Sequence, residues 1–282
     1  MKTVSNHYKA ILYVVIAVLC LSFHDLLGKK LNQKYAIFLI LWFRYLFHFA
    51  YAQFTSIGIL KKSRFKKIHL LRAMLMSLIG LSFITGLKYL PLSEATAINF
   101  LAPIFVLLLS YFLLKEKISS AAVFKVVIGF IGILLIARPG GDVFKFEIIF
   151  PMLAALFFAI YQILTKIVGS TESALVSNYY LGLYAFILTS IFLPFNWSSI
   201  DSSDLIFFLL VGMFGTFAHT LFNKAYILET PAKLSPYSYL QIFFATVLGY
   251  IFYQSVPDYL SILGIVIIIF SGINIRLHKN GH

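Results

Sequence analysis

An arginine at position 44 stands about eight residues inside a long apolar run, where a charged side chain costs about 2.5 to 3.5 kcal/mol on insertion scales and so calls for a purpose. At 1.5 Å rise per residue that depth is about 12 Å along a helix axis. Asp25 lies at a similar depth in the preceding run, so the two side chains are expected to meet as an ion pair. His24 neighbours Asp25, and His48 follows Arg44 by one helical turn on the same face. Two readings follow. One makes Asp25 and Arg44 part of a substrate-carboxylate or coupling-ion site; the other makes them a structural pair near the interface, with Arg44 snorkelling toward the headgroups.

A second set is neutral and polar. Glu94, Thr96, Asn99 and Pro103 punctuate one apolar run, and Ser235, Pro236, Ser238, Tyr239 and Gln241 punctuate another. Proline inside a span frees backbone carbonyls that a solute can use. Asn99 and Gln241 offer donors and acceptors without a charge, which suits a site that must hold a polar solute and then release it. We expect a central cavity lined by Asn99, Gln241 and Tyr239, completed by Tyr161 and Gln162, with Arg44 or His219 as charge complement. Asp25, Arg44 and His219 are the candidates for coupling or ion pairing, His219 because imidazole titrates near neutral pH. A neutral His219 bonded to a carbonyl is the competing reading, and Glu94 reads as an end charge.

Catalytic chemistry has little to stand on. The chain carries no HExxH and no GxSxG signature, and it lacks an acidic cluster able to hold catalytic metals. Cys20 is the single cysteine. No catalytic residue, metal site or cofactor is therefore expected. An integral-membrane enzyme acting on a lipid-embedded substrate is the alternative function class, and a channel or structural membrane protein the third.

The elements that carry these residues are membrane helices. Of 282 residues, 61% are hydrophobic and 12% charged, with a mean hydropathy of +0.92; a water-soluble domain is excluded. Ten runs of span length are read at 10–28, 36–57, 70–89, 92–114, 121–138, 147–167, 176–195, 205–227, 232–254 and 258–277, giving an all-α membrane protein of ten transmembrane helices. Residues 121–137 are apolar all round, unlike the alternating strands of a β-barrel. The first run is long and lacks a clear small-residue cleavage site, so it reads as a retained helix.

The formal charge of +13 is topological rather than a sign of nucleic-acid binding. Sixteen of the 23 Lys and Arg fall on one face, six on the other, and Arg44 within a span. By the positive-inside rule both termini are cytoplasmic in a cell inner membrane. The halves also resemble each other: 17–30 can be laid on 154–167, and 90–111 on 229–250. Residues 1–141 and 142–282 are thus read as two five-helix repeats. Five is odd, so the second is inserted upside down, the plan of many secondary carriers.

Tyr89 to Ser119 (YLPLSEATAINFLAPIFVLLLSYFLLKEKIS), Gly129 to Gly141 (GFIGILLIARPGG) and Ser235 to Asp258 (SPYSYLQIFFATVLGYIFYQSVPD) resemble the drug/metabolite transporter superfamily, in its EamA-type ten-helix members. The sequence departs from that pattern at Ser255, where the family usually has Glu. The resemblance implies a carrier without ATPase machinery, moving amino acids, their derivatives or similar metabolites. Phe23 to Leu31 (FHDLLGKKL), with Phe43-Arg44, further resembles members that move S-adenosylmethionine or riboflavin. The expected partners are a small-molecule substrate and the lipid bilayer, with coupling to protons or a counter-substrate and room for a homo-oligomer.

Overall fold

The computed structural model describes residues 2–58, 62–102, 104–105, 108–109, 120–137, 145–169, 172–228, 234 and 237–272. Among them lie ten α-helices and no strand: α1 (Lys2–Leu31), α2 (Ile37–Thr55), α3 (Lys66–Tyr89), α4 (Leu92–Asn99), α5 (Ser120–Ala137), α6 (Ile149–Gly169), α7 (Ala174–Asn196), α8 (Ser202–Leu228), α9 (Leu240–Tyr253) and α10 (Tyr259–Gly272). Six of these are long and apolar enough to cross a membrane, and three shorter helices are apolar. With no water to satisfy amides in hydrocarbon, helices let each span pair its own backbone.

Local sequence sets the ends. The Ser173 side chain accepts from the Val176 amide as the N-cap of α7. α9 closes where Gln254 adopts φ 52° and the Ser255 amide reaches back to the Gly249 carbonyl at 3.2 Å. Lys29 donates to the Leu87 and Leu90 carbonyls, at 2.5 and 2.6 Å, and so tethers α1 to the last turn of α3.

Two expected spans differ from a continuous helix. The 92–114 run breaks after α4: Phe100 and Leu101 turn, and helical pairing resumes as the Ile104 and Phe105 amides bond to the Leu101 carbonyl. The 232–254 run turns at Tyr239 before α9 begins. The first helix is longer than expected, starting at Lys2 rather than Ala10. Pro103 and Pro236 lie outside the described residues.

Packing runs largely between the two halves of the chain. α1 packs on α8 and α9, α2 on α7 and α8, α3 on α6 and α7, α4 on α9 and α6, and α5 on α10. α5 and α10 approach closely: a Cβ on Gly132 would lie 2.9 Å from the Gly264 carbonyl, and one on Gly264 would lie 2.6 Å from the Gly132 carbonyl. Small residues bring such helices together where lipid supplies no hydrophobic drive. Outward, Phe54, Phe124, Phe217, Phe243 and Phe270 are exposed, as a lipid-facing surface requires.

Candidate functional site

Arg44 on α2 points into a small cavity that it lines with Tyr45, His48, Met76, Leu181, Gly215, Thr216 and His219. The cavity measures about 10 Å3, room for one water-sized guest. α2 and α8 bring the group together, and the His48 and His219 rings sit 6.3 Å apart. Tyr45 is fixed by donating its hydroxyl to the Met76 carbonyl at 2.7 Å. His219 and Arg44 thus line the same cavity.

The direct Asp25–Arg44 ion pair expected from their matching depth is not formed. One Asp25 oxygen is 2.9 Å from His24 Nδ1, and the other accepts from Gln241 Nε2 at 3.1 Å. Depth specifies height along a span, whereas helix rotation decides which neighbour is met; the α1–α9 contact supplied Gln241 first. Ser22 ties the same helices, donating to the Gln241 carbonyl at 3.3 Å. His24 nevertheless reaches the Arg44 cluster. A Cβ placed on Gly215 would lie 3.6 Å from His24 Nε2 and 3.7 Å from Arg44 Nε.

Of the expected cavity residues, Asn99, Gln241, Tyr239, Tyr161 and Gln162 do not line the Arg44 cavity. Tyr239 instead sits at the α9 break, its ring 4.9 Å from that of Phe100 at the α4 break. The Tyr239 hydroxyl, Asn99 Oδ1 and Thr96 Oγ1 are buried without a hydrogen-bond partner. Gln162 is half-buried on α6. Glu94, read as an end charge, is buried and held by Lys145 at 2.8 Å and the Ser261 hydroxyl at 3.0 Å.

Sequence reasoning missed Arg72, which it only counted among the sixteen Lys and Arg of one face. It is 1% exposed. Its guanidinium donates to Ser177 at 2.6 Å, Thr165 and His69 at 3.1 Å, and Tyr161 at 3.3 Å. His69 passes the contact to Glu172 at 2.9 Å, and Glu172 also accepts from the Ser63 hydroxyl and the Arg64 amide. Arg72 can only donate, so His69 receives at Nδ1 and presents Nε2–H to the carboxylate. Burial raises the Glu172 pKa, but the hydrogen bonds from Ser63, His69 and Arg64 outweigh it and hold the carboxyl below its ordinary value. The i, i+3 spacing of His69 and Arg72 was the available signal.

A related tie joins the α1–α2 turn to the start of α8. Lys34 bonds Asp201 and Asp204, while Tyr35 donates to Asp204 at 2.7 Å and accepts from the Asp201 amide at 3.2 Å. Hydrogen bonds to Asp201 and Asp204 hold the Lys34 ammonium above the ordinary lysine range. Among the described residues, no group of three or more His, Cys, Asp or Glu could hold a metal ion.

The EamA-like transporter family model matches the chain twice, at residues 8–138 and 145–275. The S-adenosylmethionine uptake transporter of Rickettsia prowazekii (strain Madrid E) is 27% identical over 268 residues, 94% of this chain and 91% of that protein. The riboflavin transporter of Brucella anthropi is 27% identical over 197 residues, 68% of this chain and 69% of its own. A solved crystal structure superposes with a TM-score of 0.63 at 16% identity, covering 94% of this chain and 96% of the other, a likeness of fold alone.

Proposed function

Because the chain belongs to the EamA-like transporter family, we propose that it is a secondary-active carrier of a small polar metabolite, such as an amino acid or amino-acid derivative, working by alternating access. The family itself makes this a multi-pass membrane transporter of small metabolites, not an enzyme. The mechanism is our reading. Residues 1–141 and 142–282 act as inverted five-helix repeats in an inner membrane, both termini cytoplasmic, exchanging protons or a counter-substrate for cargo. A homo-oligomer is compatible with this scheme.

The observation that carries it is the meeting of two helix breaks, at Phe100 and Tyr239, 139 positions apart and ring to ring. That offset is the repeat offset, so equivalent positions face each other, as residues beside a pseudo-two-fold axis must. Helix packing supports the same exchange. Advancing each helix number by five turns the α1–α8 contact into α6–α3, α2–α8 into α7–α3 and α1–α9 into α6–α4, and leaves α2–α7, α4–α9 and α5–α10 as self-pairs. The polar ties obey it too: the α1–α2 turn to the start of α8, and the α6–α7 connection to the start of α3. Two related halves with a tie at each end can open one end at a time around a central site.

The proposed substrate route runs from the breaks, with Asn99, Tyr239 and Gln241, through Asp25 to Arg44 and His219; Tyr161 and Gln162 form its α6 wall. Asn99→Ala and Gln241→Ala should each raise the half-saturating substrate concentration about tenfold in proteoliposome uptake, with insertion intact. The substrate panel for that assay is headed by S-adenosylmethionine, then riboflavin and the amino acids. Unchanged kinetics in both variants would place the route elsewhere.

A further inference from the structure

We propose that Arg44, His24 and Asp25 form a head-group site for an α-amino acid: the Arg44 guanidinium takes the substrate carboxylate, and the His24 Nε2 lone pair, with Asp25 behind it, takes the ammonium. The proposal rests on the carrier reading and deepens it by assigning the substrate class.

Among the described residues, Arg44 and Arg72 lie within helical spans, and their environments are opposites. Arg72 spends its donors on four side chains. Arg44 makes no hydrogen bond or ion pair with any described residue, though it borders the Tyr45 ring with its Cζ 5.5 Å from the centroid. A guanidinium is permanently charged, and its planar fork matches a carboxylate edge. The Asp25 carboxylate is committed, since both of its oxygens are already bonded.

His24 supplies the complementary half. It is 3% exposed. Its Nδ1 faces a carboxylate that only accepts, so the neutral ring carries its proton there and leaves Nε2 as an acceptor. That Nε2 is buried and unpartnered, as is Thr216 Oγ1 on the cavity wall. The donor and the acceptor meet over Gly215: a Cβ there would stand 3.1 Å from His24 Cδ2, 3.6 Å from His24 Nε2 and 3.7 Å from Arg44 Nε, so the missing side chain is what lets the two groups come together at one place. A cation and a polarised imidazole brought side by side over Gly215, with no salt bridge between Arg44 and Asp25, are the complement of a zwitterion. Entry of a head group requires α2 and α8 to part, because the cavity as it stands admits one water.

The test is displacement of labelled S-adenosylmethionine from the full-length protein in lipid nanodiscs, by the unlabelled compound, its decarboxylated analogue and its deaminated 2-oxo acid; labelled methionine is the second probe. We expect each truncated analogue to need about 100-fold more, and Arg44→Gln to shrink the carboxylate penalty to about threefold while keeping the amine penalty. Equal displacement by all three on the wild type, which needs no variant to fold, overturns the proposal, as does an undiminished carboxylate penalty in Arg44→Gln. Saturable counterflow of riboflavin with no binding of either amino-acid probe overturns this site and leaves the carrier intact. No counterflow of any metabolite overturns the carrier reading as well.

Discussion

At the residue scale Arg72 carries a side-chain network, whereas Arg44 is proposed to carry the substrate contact. Removing Arg72 strands Ser177, Thr165 and Tyr161 and leaves Glu172 without its distant counter-charge, so Arg72→Leu should lower stability by about 3 kcal/mol in thermal unfolding of the detergent-solubilised protein. Lys34→Ala should leave the unfolding midpoint unchanged, because the Lys34 and Asp201 side chains are 50% and 60% exposed. An Arg72 variant as stable as wild type would remove the network from the account of the fold. Much at this scale was legible. Arg44, Asp25 and His219 stand out as polar side chains in apolar runs. What the sequence withheld was azimuth. The same helix depth is compatible with several neighbours, and only the packed α1–α9 contact selects Gln241 rather than Arg44 for Asp25. Arg72 was hidden for another reason: at a span boundary, a cation inside the protein and one facing headgroups have the same sequence signature.

At the element scale, the close approach of α5 and α10 and the Glu172 tie each make a prediction. In Gly264→Ala the new methyl would stand 2.6 Å from the Gly132 carbonyl and 2.8 Å from Ile136 Cγ1. A backbone oxygen cannot step aside, so the variant should lose about 1 to 3 kcal/mol by the same unfolding assay; no loss would show that the helices separate freely. Glu172 works through its depressed pKa. A carboxyl held lower in the tied state contributes above its ordinary pKa and loses that contribution as pH falls through the depressed value. Amide-exchange protection of the first turn of α3 should therefore hold constant from about pH 8 down to about pH 5 and fall in Glu172→Gln throughout that window. Protection indifferent to Glu172→Gln would dissolve the tie. Helix existence was readable from hydropathy at each described element, but the breaks at Phe100 and Tyr239 were not. Pro103 and Pro236 signal a weakened helix; where the chain turns is decided by the opposing element, here each other's ring.

At the scale of the whole molecule, the proposed inverted repeat would make both ends of the bundle equivalent in design and opposite in orientation. The asymmetry of Lys and Arg then sets which end faces the cytoplasm. A reporter active only in the cytoplasm, fused at His282, should be active; an inactive, fully expressed fusion would reverse the orientation. The sequence offered the repeat as paired segments at offsets near 138, which name equivalent helices but not their contacts; the packing of α1 on α8 and of α6 on α3 is what the proposed exchange draws on. The central claim is that substrate crosses by exchange between two alternately open states, and counterflow tests it most directly. Proteoliposomes preloaded with excess unlabelled substrate should take up the labelled compound faster and to a transient overshoot, with a rate that saturates. A rate that rises linearly with concentration and ignores preloading would contradict the account.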